Sequence, residues 1–356
     1  MKKELNNKIY IFSDKIGSGK TTLLKNWFEN NESISGFLSP KVDGKRYFEN
    51  LETGEKLLLE VEHSSLQIGK YSFDPEVFSW AESELLKQLN FEKDWLIIDE
   101  IGPLEIRKNI GFHDLILKIV ADQSSIETKI VFVVRDFMVE EFIEKYNFQN
   151  PKILAKSFFI SSKRKPNLFG ITLCGGESKR MKTDKALLNY GNNLQWKKVS
   201  ELLYSFCEEV VISINEKQWK NWAEKGSGKF IIDDEKFENH GPLSGILSVI
   251  EKYPDQGLMI VGTDFPFLKM EHLIQLNNER SPVDEAVCFK KDGFLQPLVS
   301  IIEKEAIVKL KKFFEDGNDS LRKFLGEIKA KEIKVEEGNF LNNINTEEDY
   351  LKLRND

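Results

Sequence analysis

Phe169-Gly170-Ile171-Thr172-Leu173-Cys174-Gly175-Gly176-Glu177-Ser178-Lys179-Arg180-Met181-Lys182-Thr183-Asp184-Lys185-Ala186-Leu187-Leu188 is a short apolar strand that runs straight into a glycine pair and a basic segment. Two successive glycines let the main chain come closer to a ligand than any Cβ would allow, which turns amide N–H groups into donors for phosphate oxygens. Arg180 and Lys185 add two positive charges to the loop, an arrangement suited to a polyphosphate and unsuited to a core. A bare glycine pair is ordinarily no more than a turn. The strand before it and the charges after it make this one a phosphate-loop candidate.

Further segments follow in an order that a chance match to one loop would not produce. Asp233-Asp234 ends an apolar run that starts at Phe230, and Gly241-Pro242-Leu243-Ser244-Gly245-Ile246 follows as a helix start. Gly257 to Gly262 reads as a buried strand closing on Thr263-Asp264-Phe265-Pro266-Phe267-Leu268, and Gln296-Pro297-Leu298 and Asn343-Ile344-Asn345-Thr346-Glu347-Glu348-Asp349 come last. In this order the segments resemble the molybdenum cofactor guanylyltransferases of the sugar-nucleotidyltransferase-like superfamily, over residues 168–356. Lys182 stands where that family usually has glycine, and Thr263 where it has cysteine.

Asp264 falls just past the carboxyl end of a strand, where an open parallel sheet places its ligands. A carboxylate there can hold the Mg²⁺ that bridges nucleotide phosphates, and it can equally cap the helix expected near Leu268. The resemblance favours the metal role. It implies transfer of GMP from GTP to molybdopterin with loss of pyrophosphate, with Lys185, Arg180 and Asp264 as catalytic residues and Asp264 as the Mg²⁺ ligand. It also implies that Leu173, Cys174, Gly175, Gly176 and Lys185 bind the nucleotide, with Asn215 and Asp234 as further candidates. The glycine pair goes with guanine in that superfamily, and a cytidylyl- or sugar-phosphate nucleotidyltransferase is the alternative. Asn343 and Asn345 are candidates for the pterin or its phosphate, although asparagines before a helix more often form turns. Contacts with other cofactor-biosynthesis proteins or molybdoenzymes fit the same pathway.

The first half carries a second phosphate loop. Ile9 to Ser13 reads as a strand, followed by Asp14-Lys15-Ile16-Gly17-Ser18-Gly19-Lys20-Thr21-Thr22 and a helical run through Phe28. This approximates GxxxxGK[ST], in which Gly17, Gly19, Lys20, Thr21 and Thr22 bind the nucleotide and the Thr21 hydroxyl reaches Mg²⁺. Asp14 replaces the first glycine, so the turn could be distorted. Trp95 to Ile98 is a second buried strand ending in Asp99-Glu100, where Asp99 can orient the metal and Glu100 can polarise an attacking water. Asp99-Glu100-Ile101-Gly102-Pro103-Leu104-Glu105, with Gly36-Phe37-Leu38-Ser39-Pro40 to Tyr47 upstream, resembles a P-loop nucleoside-triphosphatase family over residues 7–160, although Lys41-Val42-Asp43-Gly44-Lys45-Arg46 stands where that family has an arginine between strand and turn. A second NTP is therefore expected here. The alternative is a regulatory or delivery module that binds nucleotide without turnover.

The fold expected is α/β in two domains, an N-terminal P-loop NTPase sheet in residues 1–162 and a C-terminal Rossmann-like nucleotidyltransferase domain in 168–356. The polar, basic stretch 163–167 is the expected linker. Helical patterns at 76–89, 113–120 and 304–314 alternate with apolar strands at 130–134, 210–214 and 258–261, which predicts parallel sheets with helices on both faces. Asp43-Gly44 and Thr53-Gly54 separate short strand-like runs and predict a hairpin excursion after the first helix. A net charge of −7 argues against a nucleic-acid partner. Without an apolar span or signal peptide, no membrane partner and a cytoplasmic location are expected. Cys174, Cys207 and Cys288 lack metal-ligand spacing and suit a reducing compartment.

Overall fold

The computed structural model describes residues 8–148, 150–160, 167–175, 184–189, 193–222 and 228–343. The chain divides into two compact units, Met1–Ser162 and Lys163–Asp356. Residues 163–166 of the expected linker lie outside the described residues, and Asn167 is exposed. Both units are α/β.

In the N-terminal unit, the strand Ile9–Asp14 is paired in parallel with Lys152–Leu154 on one side and Lys129–Arg135 on the other. Trp95–Ile101 lies beyond Lys129–Arg135, and Ile34–Leu38 beyond that, again in parallel. The strands are almost continuously apolar because helices cover both faces. Phe12, Ile34, Ile97 and Val131 pack with Leu24 and Trp27 of the helix Lys20–Glu29. Asp74 starts the helix Pro75–Gln88 by accepting a 2.8 Å hydrogen bond from the Glu76 amide, with Pro75 in the first turn. Val77, Phe78, Ala81 and Leu85 then recur on one buried face at helical spacing.

The expected hairpin is present: Lys41–Val42 pairs antiparallel with Lys45–Asn50. Asp43 and Gly44 both have positive φ, 48° and 79°, as the tightest two-residue hairpin turn requires. Lys45–Asn50 also pairs with Lys56–Leu58 across the Thr53-Gly54 turn. A small three-stranded sheet of Glu60–Val61, Leu66–Ile68 and Tyr71–Phe73 follows, whose strands are too short to carry a clear periodic signal.

The C-terminal unit is a seven-stranded sheet built around Leu168–Leu173. Cys207–Ile214 and Gly257–Gly262 flank that strand in parallel, and Phe230–Ile232 pairs with Cys207–Ile214. The carboxyl ends of these four strands therefore share one edge. The expectation of wholly parallel sheets needs correction here. Phe294–Ile302 runs antiparallel to both Gly257–Gly262 and Ala286–Lys291. The helix Pro242–Lys252 packs Leu243, Ile246, Leu247, Val249 and Ile250 against the sheet. It comes very close to the strands at Gly245, where an added Cβ would overlap Ser213 Oγ and lie 3.0 Å from Leu173 Cδ2.

No helix among the described residues is long and apolar enough to cross a membrane.

Candidate functional site

At the carboxyl edge of the C-terminal sheet, Lys185 Nζ donates to Asp264 Oδ1 at 3.1 Å, across 79 residues of sequence. Lys185 opens a short 3₁₀ turn, Lys185–Leu187, and Asp184 fixes that turn by accepting from the Ala186 amide at 3.1 Å. The other Asp184 oxygen accepts from Gln218 Nε2 and Trp222 Nε1, each at 2.9 Å. Gln218 Nε2 also donates to the Cys174 carbonyl at 2.8 Å, so one buried amide ties together the two ends of the glycine loop. Asp184 and Gln218 are positioning residues that sequence reasoning missed. The Asp-Lys pair of the motif was the available signal.

Asp264 follows the strand Gly257–Gly262, and Thr263 anchors that junction by donating its amide to the Leu173 carbonyl at 3.1 Å. Asp264 does not cap a helix. The next helix, Met270–Asn278, begins at Lys269. Lys198 Nζ donates to the Pro266 carbonyl at 2.7 Å and secures the rest of the turn.

The two adjacent acids after Phe230–Ile232 separate sharply. Asp234, expected in the nucleotide pocket from its motif position, is instead exposed and caps the turn Glu235–Phe237 by accepting from the Lys236 amide at 3.1 Å. Asp233 is the one that faces the glycine bend: its Oδ2 lies 3.5 Å from where a Gly175 Cβ would stand, and its Oδ1 accepts from Ser213 Oγ at 2.8 Å. Burial pushes the Asp233 carboxyl up to about 6 despite the Ser213 hydroxyl. Asn215 serves as a helix cap, exchanging hydrogen bonds of 2.8 and 3.0 Å with Gln218.

Leu173 and Cys174 are buried and the glycine bend begins at Gly175. Burial, with Asp184, Asp233 and Asp264 nearby, drives the Cys174 thiol well above its ordinary value, so it is a packing group and not a nucleophile. Asn343 is exposed. Gly176, Arg180 and Asn345 lie outside the described residues.

In the N-terminal unit, Gly17 and Gly19 have φ of 78° and 83°, and no atom lies within 4 Å of a Cβ built on either. Lys20 Nζ curls over the loop to the carbonyls of Asp14 and Lys15 at 2.8 and 3.1 Å. The Asp14 carboxylate is turned aside to Lys156 Nζ, 2.5 Å away, and to the Lys15 amide. Against the upward pull of burial, these partners hold the Asp14 carboxyl below its ordinary value. Thr21 Oγ1 donates to Asp99 Oδ2 at 3.1 Å, and the Ser39 amide donates to the same oxygen at 3.0 Å. Burial and the neighbouring Glu100 charge push Asp99 up to about 6. Thr22 is exposed.

Glu100 lies beside two arginines, Arg46 Nη1 at 2.5 Å and Arg135 Nη2 at 3.3 Å. They lie far from Glu100 in sequence. Just beyond, Glu105 is buried and accepts from the amides of Gly102 and Phe112 at 2.9 and 3.1 Å, which ties down the segment after Glu100.

Burial pushes the Glu105 carboxyl up from 4.5 to about 7, against the lowering effect of those amides. The unfolded chain releases this proton near its ordinary value, so between these two values the folded state binds more protons and stability falls as pH rises. Asp99 and Asp233 act in the same direction. Glu105→Gln is expected to reduce the fall in melting temperature of the N-terminal unit between about pH 5 and about pH 7. Thermal melts of variant and parent at both pH values check this, and equal slopes would contradict it.

Comparison with known proteins finds matches in both halves. Residues 170–333 match the MobA-like NTP transferase domain, and residues 9–158 match the NTPase family. Each half matches a known domain family. The C-terminal half is thus a nucleotidyltransferase domain, and the N-terminal half is a P-loop NTPase domain. A "Molybdenum cofactor biosynthesis bifunctional protein" of Synechocystis sp. is 27% identical over 58% of this chain, and the match spans 59% of that protein's length. A "Probable molybdenum cofactor guanylyltransferase" of Geobacillus sp. is 24% identical over 43% of this chain and 78% of its own. The solved molybdopterin-guanine dinucleotide biosynthesis protein A of Archaeoglobus fulgidus is 20% identical, covering 53% of this chain and 97% of that one with a TM-score of 0.41.

Proposed function

We propose that the C-terminal NTP-transferase domain transfers GMP from GTP to molybdopterin. The observation that carries this reading is the Lys185–Asp264 contact at 3.1 Å, which brings the cation of the glycine-loop motif to the carboxylate at the strand edge. An oxygen of the molybdopterin phosphate attacks the α-phosphorus of GTP, the bond to the β-phosphate oxygen breaks, and pyrophosphate leaves. Such a transfer needs alignment and charge neutralisation more than a nucleophilic side chain. Lys185 supplies a fixed positive charge, and the Gly175 main chain allows close approach of the nucleotide.

A divalent ion fits the donor set. Asp264 is 29% exposed, caps no helix and has no described protein partner other than Lys185, as suits a carboxylate that shares Mg²⁺ with phosphates and water. Asp264 would hold the ion, and the ion would supply charge neutralisation at the phosphates. The corresponding pair in the N-terminal unit is Thr21 and Asp99, with the Ser39 hydroxyl buried beside them and lacking a partner.

Incubating the full chain with molybdopterin and an equal mixture of ATP, CTP, GTP and UTP tests the assignment. GMP is the nucleotide expected in the product, whereas a product carrying only CMP would replace the reading with a cytidylyltransferase.

For the N-terminal unit the reading is binding and hydrolysis of a second NTP. The open Gly17 and Gly19 turn and the Thr21–Asp99 contact support it. Lys20→Ala is expected to weaken NTP binding at this site at least about tenfold, or ~1.4 kcal/mol, since it removes a charge-assisted contact to phosphate. Nucleotide titration of the full chain checks this. An unchanged affinity for the N-terminal site would contradict it.

A further inference from the structure

Glu100 stands on a bulge. Opposite the strand Lys129–Arg135, Phe132 pairs with Ile98 and Val134 with Ile101, so Trp95–Ile101 carries an extra residue where Asp99 and Glu100 lie. Glu100 takes the left-handed conformation there, with φ of 74°. Bulges re-aim side chains beside functional sites, and a left-handed glutamate is retained only where its surroundings hold it. Here Asp99 is turned to Thr21 of the phosphate loop, while Glu100 is turned to Arg46 and Arg135.

The two arginines come from opposite parts of the unit. Arg135 ends the strand that lies between the phosphate-loop strand and Trp95–Ile101, and it stands in register with Asp14, where the phosphate loop begins. Its guanidinium lies alongside Gly102, where a Cβ would stand in ordinary contact, 3.5 Å from Arg135 Nε. Arg46 is carried in by the hairpin strand Lys45–Asn50 and has Glu60 3.7 Å from its Nε. Arg46, Arg135 and Glu100 are each between a quarter and a third exposed, with side-chain exposures of 26, 31 and 29%. An anion can reach all three.

From this arrangement we propose that Arg46 and Arg135 are the charge-stabilising arginines of NTP hydrolysis in the N-terminal unit, held on Glu100 until a γ-phosphate draws them away. The inference rests on the hydrolytic reading given above. A γ-phosphate offers the two guanidiniums a partner with more charge than one carboxylate. Once they move, Glu100 accepts a proton from water as the water oxygen bonds to the γ-phosphorus. The bond between that phosphorus and the bridging oxygen breaks, and its electron pair leaves with the nucleoside diphosphate. The arginines stabilise the charge that spreads over the transferred group.

The test uses the full chain without molybdopterin, so that inorganic phosphate release from ATP or GTP reports the N-terminal unit alone. Arg46→Ala and Arg135→Ala are expected to lower kcat about 100-fold or more. Affinity for a non-hydrolysable NTP analogue is expected to change less than about fivefold, or ~1 kcal/mol. Both variants are also expected to lose the tight complex that the parent forms with nucleoside diphosphate, Mg²⁺ and aluminium fluoride. Arg46→Lys keeps the charge without the planar fork and should recover part of the rate. Parent-like rates in both alanine variants would overturn the assignment, and so would losses of rate and analogue binding in equal proportion. A parent chain that binds NTP and releases no phosphate would remove the hydrolytic reading together with this inference, whereas failure in the variants alone removes only the arginine assignment.

Discussion

Lys185→Ala is expected to reduce GMP transfer by about 1,000-fold, at the upper end of what one preorganised donor contributes in a transition state. The loss should fall mainly on kcat, because the charge on the α-phosphate and leaving pyrophosphate grows as the bond breaks. Asp264→Asn should produce a loss of similar order by removing the carboxylate that pairs with Lys185 and would hold the metal. The double variant should be little worse than either single one, because the two groups act as a unit. Steady-state pyrophosphate release with GTP and molybdopterin measures all three. Losses that simply multiply would show that the 3.1 Å contact has no part in the reaction.

Arg280→Ala is expected to destabilise the C-terminal unit by about 3–5 kcal/mol, lowering its melting temperature by roughly 6–20 °C. Arg280 and Glu303 form a two-pronged ion pair, with Nε to Oε1 at 2.8 Å and Nη2 to Oε2 at 3.0 Å, and their side chains are only 7 and 2% exposed. Truncating Arg280 strands a buried carboxylate between the end of the helix Met270–Asn278 and the start of Lys304–Glu315. The pair itself is a weak source of net stability, since each ion loses its hydration on burial. Arg280→Met with Glu303→Leu should therefore recover most of the loss. Calorimetry of single and double variants separates the outcomes. A double variant as unstable as Arg280→Ala would show that packing, and not the stranded charge, sets the cost.

Much of the candidate site was legible because its parts are local. The strand and glycine bend at 168–175, and the hairpin turn at Asp43-Gly44, are each written in a few consecutive residues. Helix and strand positions were likewise visible as periodicity: the pattern at 76–89 became Pro75–Gln88, and that at 304–314 became Lys304–Glu315. Strand direction was another matter. Phe294–Ile302 pairs antiparallel on both sides, and Pro297, which has no amide to donate, falls outside the paired positions on either neighbour. Nothing in the apolar pattern distinguishes that arrangement from a parallel one.

Side-chain direction was equally hidden. Asp233 and Asp234 are adjacent and chemically alike, and only the way the chain leaves Phe230–Ile232 decides which faces the glycine bend and which caps the next turn. The sequence marks Asn215 only as a nucleotide-pocket candidate, and the helix Glu216–Asn221 takes its side-chain oxygen as a cap. Arg46 and Arg135 reach Glu100 only through tertiary pairing, so no run of consecutive residues shows that contact.

The most direct measurement is a crystal structure of the full chain with GTP and Mg²⁺. The account predicts a triphosphate lying between the Gly175 bend and Asp264, with Lys185 Nζ within hydrogen-bond distance of a phosphate oxygen and the guanine on the Asp233 side of the bend. A GTP molecule found in the C-terminal unit away from that edge, with Lys185 still paired to Asp264, would contradict it.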